Sequence, residues 1–95
     1  MINEAKGPDL HAIIPHDHIV FTDLDGTEGV LVDLNAKSFY RLNETAMLVW
    51  RGLEQRASID EIIEKIALVY DVPADRAASS VERLLRSFQT HKLVR

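Results

Sequence analysis

The sequence contains no cysteine. That absence excludes a disulfide framework, a thiolate metal or redox centre, and a thiol nucleophile. It is compatible with a reducing cytoplasm, which is the location expected here. Long apolar runs are also missing. Nothing approaches the ~20 consecutive residues needed to span a bilayer. The start, Met1-Ile2-Asn3-Glu4-Ala5-Lys6-Gly7-Pro8, lacks the charged-then-apolar plan of a secretory signal. There is no internal repeat, no low-complexity stretch and no readable Ser-His-Asp set for acyl transfer. Positive charge is short as well: 11 Lys and Arg stand against 15 Asp and Glu, a formal net charge of −4. An acidic chain is poorly suited to neutralising phosphates, and it shows no basic-aromatic surface for stacking RNA bases.

What remains is a chain of 95 residues, 46% hydrophobic and 27% charged, as expected for one small globular domain. Its charge is uneven. Residues 1–36 carry seven acids against Lys6, whereas residues 73–95 carry five bases against Asp75 and Glu82. The basic last third can attract the acidic first third, or offer a positive helix face to an acidic peptide.

Along the chain, residues 1–10 read as a loose tail, and residues 1–16 together as a flexible N-terminal segment preceding a domain over 17–95. Pro15 has no N–H for a ladder, so residues 11–22 are expected as two short extended pieces broken there. Asp23-Leu24-Asp25-Gly26-Thr27 is a turn by composition. Gly29–Leu34 is the strongest strand, with Val30, Val32 and Leu34 on one face. Asn35-Ala36-Lys37 turns the chain into a returning strand, Ser38–Leu42.

Helices follow. The first is expected over about Glu44–Glu54, capped by Asn43 and burying Ala46, Met47, Trp50 and Leu53 at helical spacing. The second begins at the capping box Ser58-Ile59-Asp60-Glu61, carries a stripe of Ile59, Ile62, Ile63, Ile66 and Tyr70, and ends near Asp71, ahead of Pro73. The third spans about Ala74–His91, with Ala77, Val81, Leu84, Leu85 and Phe88 facing inward. Leu93 and Val94 form a tail able to return to the core. The expected fold class is α+β, a winged helix-turn-helix-like plan: a small antiparallel sheet of two to three strands followed by three helices.

Two motifs invite chemistry and fall short of it. Ile19–Thr27 resembles the first motif of haloacid dehalogenase-like phosphatases, in which two aspartates end an apolar strand beside a magnesium site. This chain lacks their alternating strands and helices, has no later acidic pair, and is too short; a polar turn with an acidic edge is the expectation. His11, His16 and His18 suggest a metal, yet no third converging ligand is fixed, and surface histidines are expected. Asp23-x-Asp25-Gly26 is too short for a calcium loop. No metal ion or cofactor is expected.

No single element is specific, but an ordered set of features runs over most of the chain. Val30-Leu31-Val32-Asp33-Leu34 is followed by Phe39-Tyr40-Arg41, then Leu42-Asn43-Glu44-Thr45-Ala46 with Trp50. After these come Ser58-Ile59-Asp60-Glu61-Ile62, Tyr70-Asp71-Val72, a third helix and Lys92-Leu93-Val94. From about Asp17 to Val94 this order resembles the PqqD-like family, small modules that recognise leaders of ribosomally made, modified peptides. Ser80 and Lys92 depart from the family, which often has Asp and Gly there; the first bears on leader preference, the second on how the tail turns.

The resemblance implies a non-catalytic adaptor that takes a leader peptide as an added strand and presents it to a separate enzyme, either a radical SAM enzyme or a leader peptidase. It implies a receiving strand of Ser38, Phe39, Tyr40, Arg41 and Leu42, with one of Phe39 and Tyr40 anchored in the core and the other facing the groove. It implies a third-helix wall, for which Arg76, Ser80, Arg83 and Ser87 form the candidate stripe, the arginines pairing with acidic leader residues. The reading from a different class is a small winged-helix DNA-binding regulator. The exposed strand edge also permits a homodimer.

Overall fold

The computed structural model describes residues 13–95. Its elements are β1 (Ile19–Asp23), β2 (Glu28–Asp33), β3 (Ser38–Asn43), α1 (Glu44–Glu54), α2 (Ile59–Tyr70) and α3 (Ala74–Thr90). The fold is α+β: a three-stranded antiparallel sheet, ordered β1-β2-β3, followed by three helices. Among the described residues no helix is long and apolar enough to cross a membrane.

Side chains fix both hairpins. Between β1 and β2, Asp23 Oδ1 accepts the Gly26 N–H, and Asp25 Oδ1 accepts the Thr27 and Glu28 N–H groups and the Thr27 hydroxyl. Gly26 sits at φ +86°, where a side chain would be strained. The acidic pair of the phosphatase-like motif is therefore spent on turning the chain. Between β2 and β3, the buried Asp33 accepts the Asn35 and Ala36 N–H groups. Leu34 lies in that turn, so β2 ends one residue earlier than expected.

The core lies on the sheet face that carries Leu31, the opposite face to Val30, Val32 and Leu34. Leu31 is fully buried, whereas Leu34 is 55% exposed. Phe21, Leu31 and Tyr40 stand in register across this inner face. Gly29 shares it, because an added Cβ would come within 2.7 Å of both Met47 Sδ and Phe21 Cε1.

Asn43 ends β3 and caps α1, its Oδ1 accepting the Ala46 N–H at 2.9 Å. A cap of this kind stabilises by about 1 kcal/mol. It turns the chain so that α1 buries Ala46, Met47, Val49, Trp50 and Leu53. The Trp50 indole meets the Phe88 ring edge-on at 5.2 Å. Ser58 and Glu61 form the expected capping box. Asp71, in the left-handed region, closes α2 and aims the chain into α3. Gly52 lets the first two helices approach, with Ile62 Cγ1 only 2.7 Å from where a Cβ would stand.

Near the ends, Leu93 and Val94 are buried as the tail returns to the core. Pro15 bridges Val94, His16 N–H donates to the Leu93 carbonyl, and Arg95 N–H donates to the Ile14 carbonyl. Residues 13–16, assigned from the sequence to a flexible segment, are thus tied to the C-terminus. The rest of that segment, with the loose tail at 1–10 and His11, lies outside the described residues. His16 and His18 precede β1 in a turn. Their rings stack at 5.0 Å, and His18 Nε2 is 3.8 Å from Asp33 Oδ1. Among the described residues no group of three or more His, Cys, Asp or Glu is placed to hold a metal ion.

Candidate peptide-binding groove

The hydrogen-bond phase of the sheet decides what β3 offers at its open side. Leu34 N–H donates to the His18 carbonyl, and Leu24 N–H donates to the Glu28 carbonyl. Hydrogen-bonded positions alternate in an antiparallel pair. Residues 28, 30, 32 and 34 therefore face β1, and residues 29, 31 and 33 face β3. Their register partners on β3 are Leu42, Tyr40 and Ser38. Phe39 and Arg41 accordingly point both backbone N–H and C=O outward, away from β2. Among the described residues these edge groups are unpaired, of the kind another strand can use.

Beside this edge runs a groove of about 490 Å³, lined on one side by Phe39, Tyr40, Arg41, Leu42 and Asn43 and on the other by Leu84, Ser87, Phe88 and His91 of α3 and its C-cap. Ala46 and Leu93 complete the lining. Leu42 is buried and Phe39 is 69% exposed. Tyr40 is half-buried, with its ring edge-on to His91 at 5.1 Å. His91 is held in turn by Nδ1, which donates to the Ser87 carbonyl at 2.9 Å. Arg41 pairs with Glu28 across the outer sheet face. That pairing strengthens the guanidinium's hold on its proton.

The lining continues at the Asn43 end into a second concavity of about 340 Å³, bounded by Asn43, Thr45, Ser80, Arg83 and Leu84. Nearby, Tyr70 donates its hydroxyl to Glu44, and burial pushes the phenol pKa up. The helix stripe read from the sequence is therefore divided. Ser87 lines the main groove, and Ser80 and Arg83 line its extension. Arg76 belongs to neither lining; it sits in the first turn of α3, outside both concavities. Of the strand candidates, Phe39, Tyr40, Arg41 and Leu42 line the groove and Ser38 does not. The sequence reading missed Asn43, Ala46, Leu84, Phe88, His91 and Leu93 as lining residues of the groove, and Thr45 in its extension. Leu84 had a usable signal, since it falls at the margin of the apolar stripe of α3; in the fold it is half-buried.

Residues 28–94 match the family described as Coenzyme PQQ synthesis protein D (PqqD). The chain belongs to the PqqD family. A search of curated proteins returned no match. Two solved structures share the PqqD-family fold seen here. One, "TbiB1 in Complex with the TbiA(beta) Leader Peptide", is 23% identical with a TM-score of 0.79, covering 85% of this chain and 93% of that one. The other, "Lasso peptide synthetase B1 complexed with the leader peptide", is 20% identical with a TM-score of 0.80, covering 88% and 98%. The matched PqqD segment begins at β2 and ends at Val94, so it contains both walls of the groove.

Proposed function

We propose that this chain is a peptide-binding adaptor that captures the leader of a ribosomal precursor peptide as a fourth strand on β3. The observation that carries the reading is the outward backbone of Phe39 and Arg41 beside an apolar groove floored by Leu84 and Phe88. An added strand gains affinity from main-chain hydrogen bonds and selectivity from pockets that take alternate side chains. Peptide residues opposite Tyr40 and Leu42 share their face and enter the groove; those between them face solvent. Membership of the PqqD family supports the reading, as do two proteins of the same fold whose structures hold leader peptides.

The adaptor carries out no chemistry itself. It delivers the precursor to a separate modifying enzyme, a radical SAM enzyme or a leader peptidase, and contributes by raising effective concentration at that enzyme's active site. The DNA-regulator reading has less support, because α3, the helix that would enter a groove of DNA, closes the cleft against β3 and the chain is net acidic.

The test is an amide-resolved NMR titration with the leader of a precursor encoded beside this chain. Saturable shifts at Phe39, Arg41 and the Leu84–His91 segment are expected, with slowed exchange of the Phe39 and Arg41 amides. A leader that shifts only residues away from β3 and α3, or none at millimolar peptide, overturns the reading.

A further inference from the structure

The second concavity brings the hydrogen-bond donors of Asn43, Thr45, Ser80 and Arg83 together beside the apolar Leu84. Arg83 is exposed, and its Nη2 donates to Ser80 Oγ at 3.3 Å. The Ser80 oxygen accepts that bond, and its hydroxyl remains able to donate. Asn43 spends its side-chain oxygen on the Ala46 N–H, leaving its amide NH₂ as a donor. No carboxylate answers these groups from within α3. The positions one helical turn from Arg83, at 79, 80, 86 and 87, are Ser, Ser, Arg and Ser. The ion pairs among the described residues are His18–Asp33, Arg41–Glu28 and Arg51–Asp23, none of which involves Arg83. Glu44, next to the site in sequence, is engaged by the Tyr70 hydroxyl.

We infer that this end of the groove is a subsite for a carboxylate side chain of the bound peptide, with Arg83 as the residue that reads it. The inference rests on the strand-addition reading and adds to it a chemical class of ligand. Arg83 donates only and has no carboxylate partner among the described residues, so it matches a carboxylate, which accepts only and which a guanidinium can meet through two parallel bonds.

Strand geometry fixes where the acid stands. Residues on one face of a strand repeat every second position, about 7 Å apart. Two successive inward residues opposite Tyr40 and Leu42 fill the apolar groove. The next inward position beyond Leu42 reaches the concavity of Asn43, Ser80 and Arg83. A peptide antiparallel to β3 thus reads acid-x-apolar-x-apolar, and a parallel one reads the reverse. The order also reports the direction of the bound strand.

The experiment selects random octapeptides displayed on phage against the full chain, in parallel with Arg83→Gln. Expected from the wild type is enrichment of Asp or Glu at a fixed two-residue spacing from a pair of apolar residues spaced by two. Arg83→Gln should keep the apolar pair and lose the acid. In solution, replacing that acid by its amide should weaken binding to the wild type about fivefold, and to Arg83→Gln by less than about twofold. The wild-type advantage should shrink as salt is raised. Enrichment of the apolar pair without an acid, or an acid preference that survives in Arg83→Gln, overturns the carboxylate subsite and leaves the groove standing. Enriched peptides that do not shift the Phe39 and Arg41 amides, or no enrichment at all, overturn both.

Discussion

The sheet has two edges, and they are treated differently. At the β1 edge the Ile19 N–H is taken by the His16 carbonyl, Asp23 pairs with Arg51 of α1, and the Arg51 guanidinium lies over Phe21, 5.4 Å from the ring centroid. Charged side chains and a neighbouring helix blunt that edge, as natural sheets do where pairing is unwanted. At the β3 edge the nearest charged pair, Arg41 with Glu28, runs back across the sheet instead of over the rim. The space beyond is an apolar groove, not a covering side chain. The difference teaches that an edge becomes a receptor when outward backbone groups and a side-chain pocket occur together. Either alone is an unused edge or an unused hollow.

The largest effect should come from the part both edges share. Trp50 is fully buried against Phe88, so Trp50→Ala should cost about 3–5 kcal/mol and abolish the contrast by loosening the whole frame. Chemical denaturation checks the cost; a loss under about 1 kcal/mol would mean that the core is organised elsewhere.

A proline scan of β3 sharpens the comparison further. Tyr40→Pro removes an N–H that bonds β2 and should cost about 2–3 kcal/mol of stability. Arg41→Pro removes an outward N–H, so the fold should survive within about 1 kcal/mol while leader binding falls at least about tenfold. Thermal melts and a binding isotherm on each variant decide it; equal melting losses would mean the deduced bonding phase is shifted by one residue.

Leu84 tests the pocket separately from the edge. It lines both concavities and is half-buried. Leu84→Ser should weaken leader binding about five- to tenfold through lost apolar contact, at a stability cost near 1 kcal/mol. The amides of Phe39 and Arg41 should still shift on saturation, since the backbone edge is intact.

The smallest effect concerns the β1 side and pH. The Asp23 carboxyl is held below the ordinary aspartate pKa by the Gly26 N–H and then by Arg51, and Asp25 by the Thr27 N–H first. A carboxyl whose folded pKa is depressed stabilises the fold above its unfolded value, near ~4, and that contribution is lost as pH falls through the folded value. Melting temperature should therefore decline below about pH 4, and more shallowly in Asp25→Asn. Arg51→Ala should raise the Asp23 pKa toward normal in an NMR titration while leaving leader affinity unchanged. A change in affinity would show that the two edges are coupled.

Much of this was legible in the residues. The stripes of Ala46, Met47, Trp50 and Leu53, and of Ala77, Val81, Leu85 and Phe88, are periodic, and period is local information. The Asn43 cap and the Ser58–Glu61 box are also set within four residues. The site was only half legible. Phe39, Tyr40, Arg41 and Leu42 were readable as a strand because a hairpin must return, while a groove beside that strand was implied only by the family resemblance. Arg76 lies outside both concavities, because a stripe drawn along a helix does not say where the facing strand ends. His91 gave no signal, and Leu93 was readable as part of a returning tail but not as groove lining, since its place depends on that tail meeting Pro15.

The sequence alone determined the order of elements, their caps and the helix faces that are buried, because each follows from contacts within a turn or two of chain. It did not determine the inner face of the sheet. Val30, Val32 and Leu34 on one side and Phe21 and Leu31 on the other are both apolar, and alternation cannot choose between them. Nor did it determine the groove. That hollow is the distance left between β3 and α3 once Trp50, Phe88 and Met47 have filled the space behind them, and only the packed volumes of residues far apart in the chain set that distance.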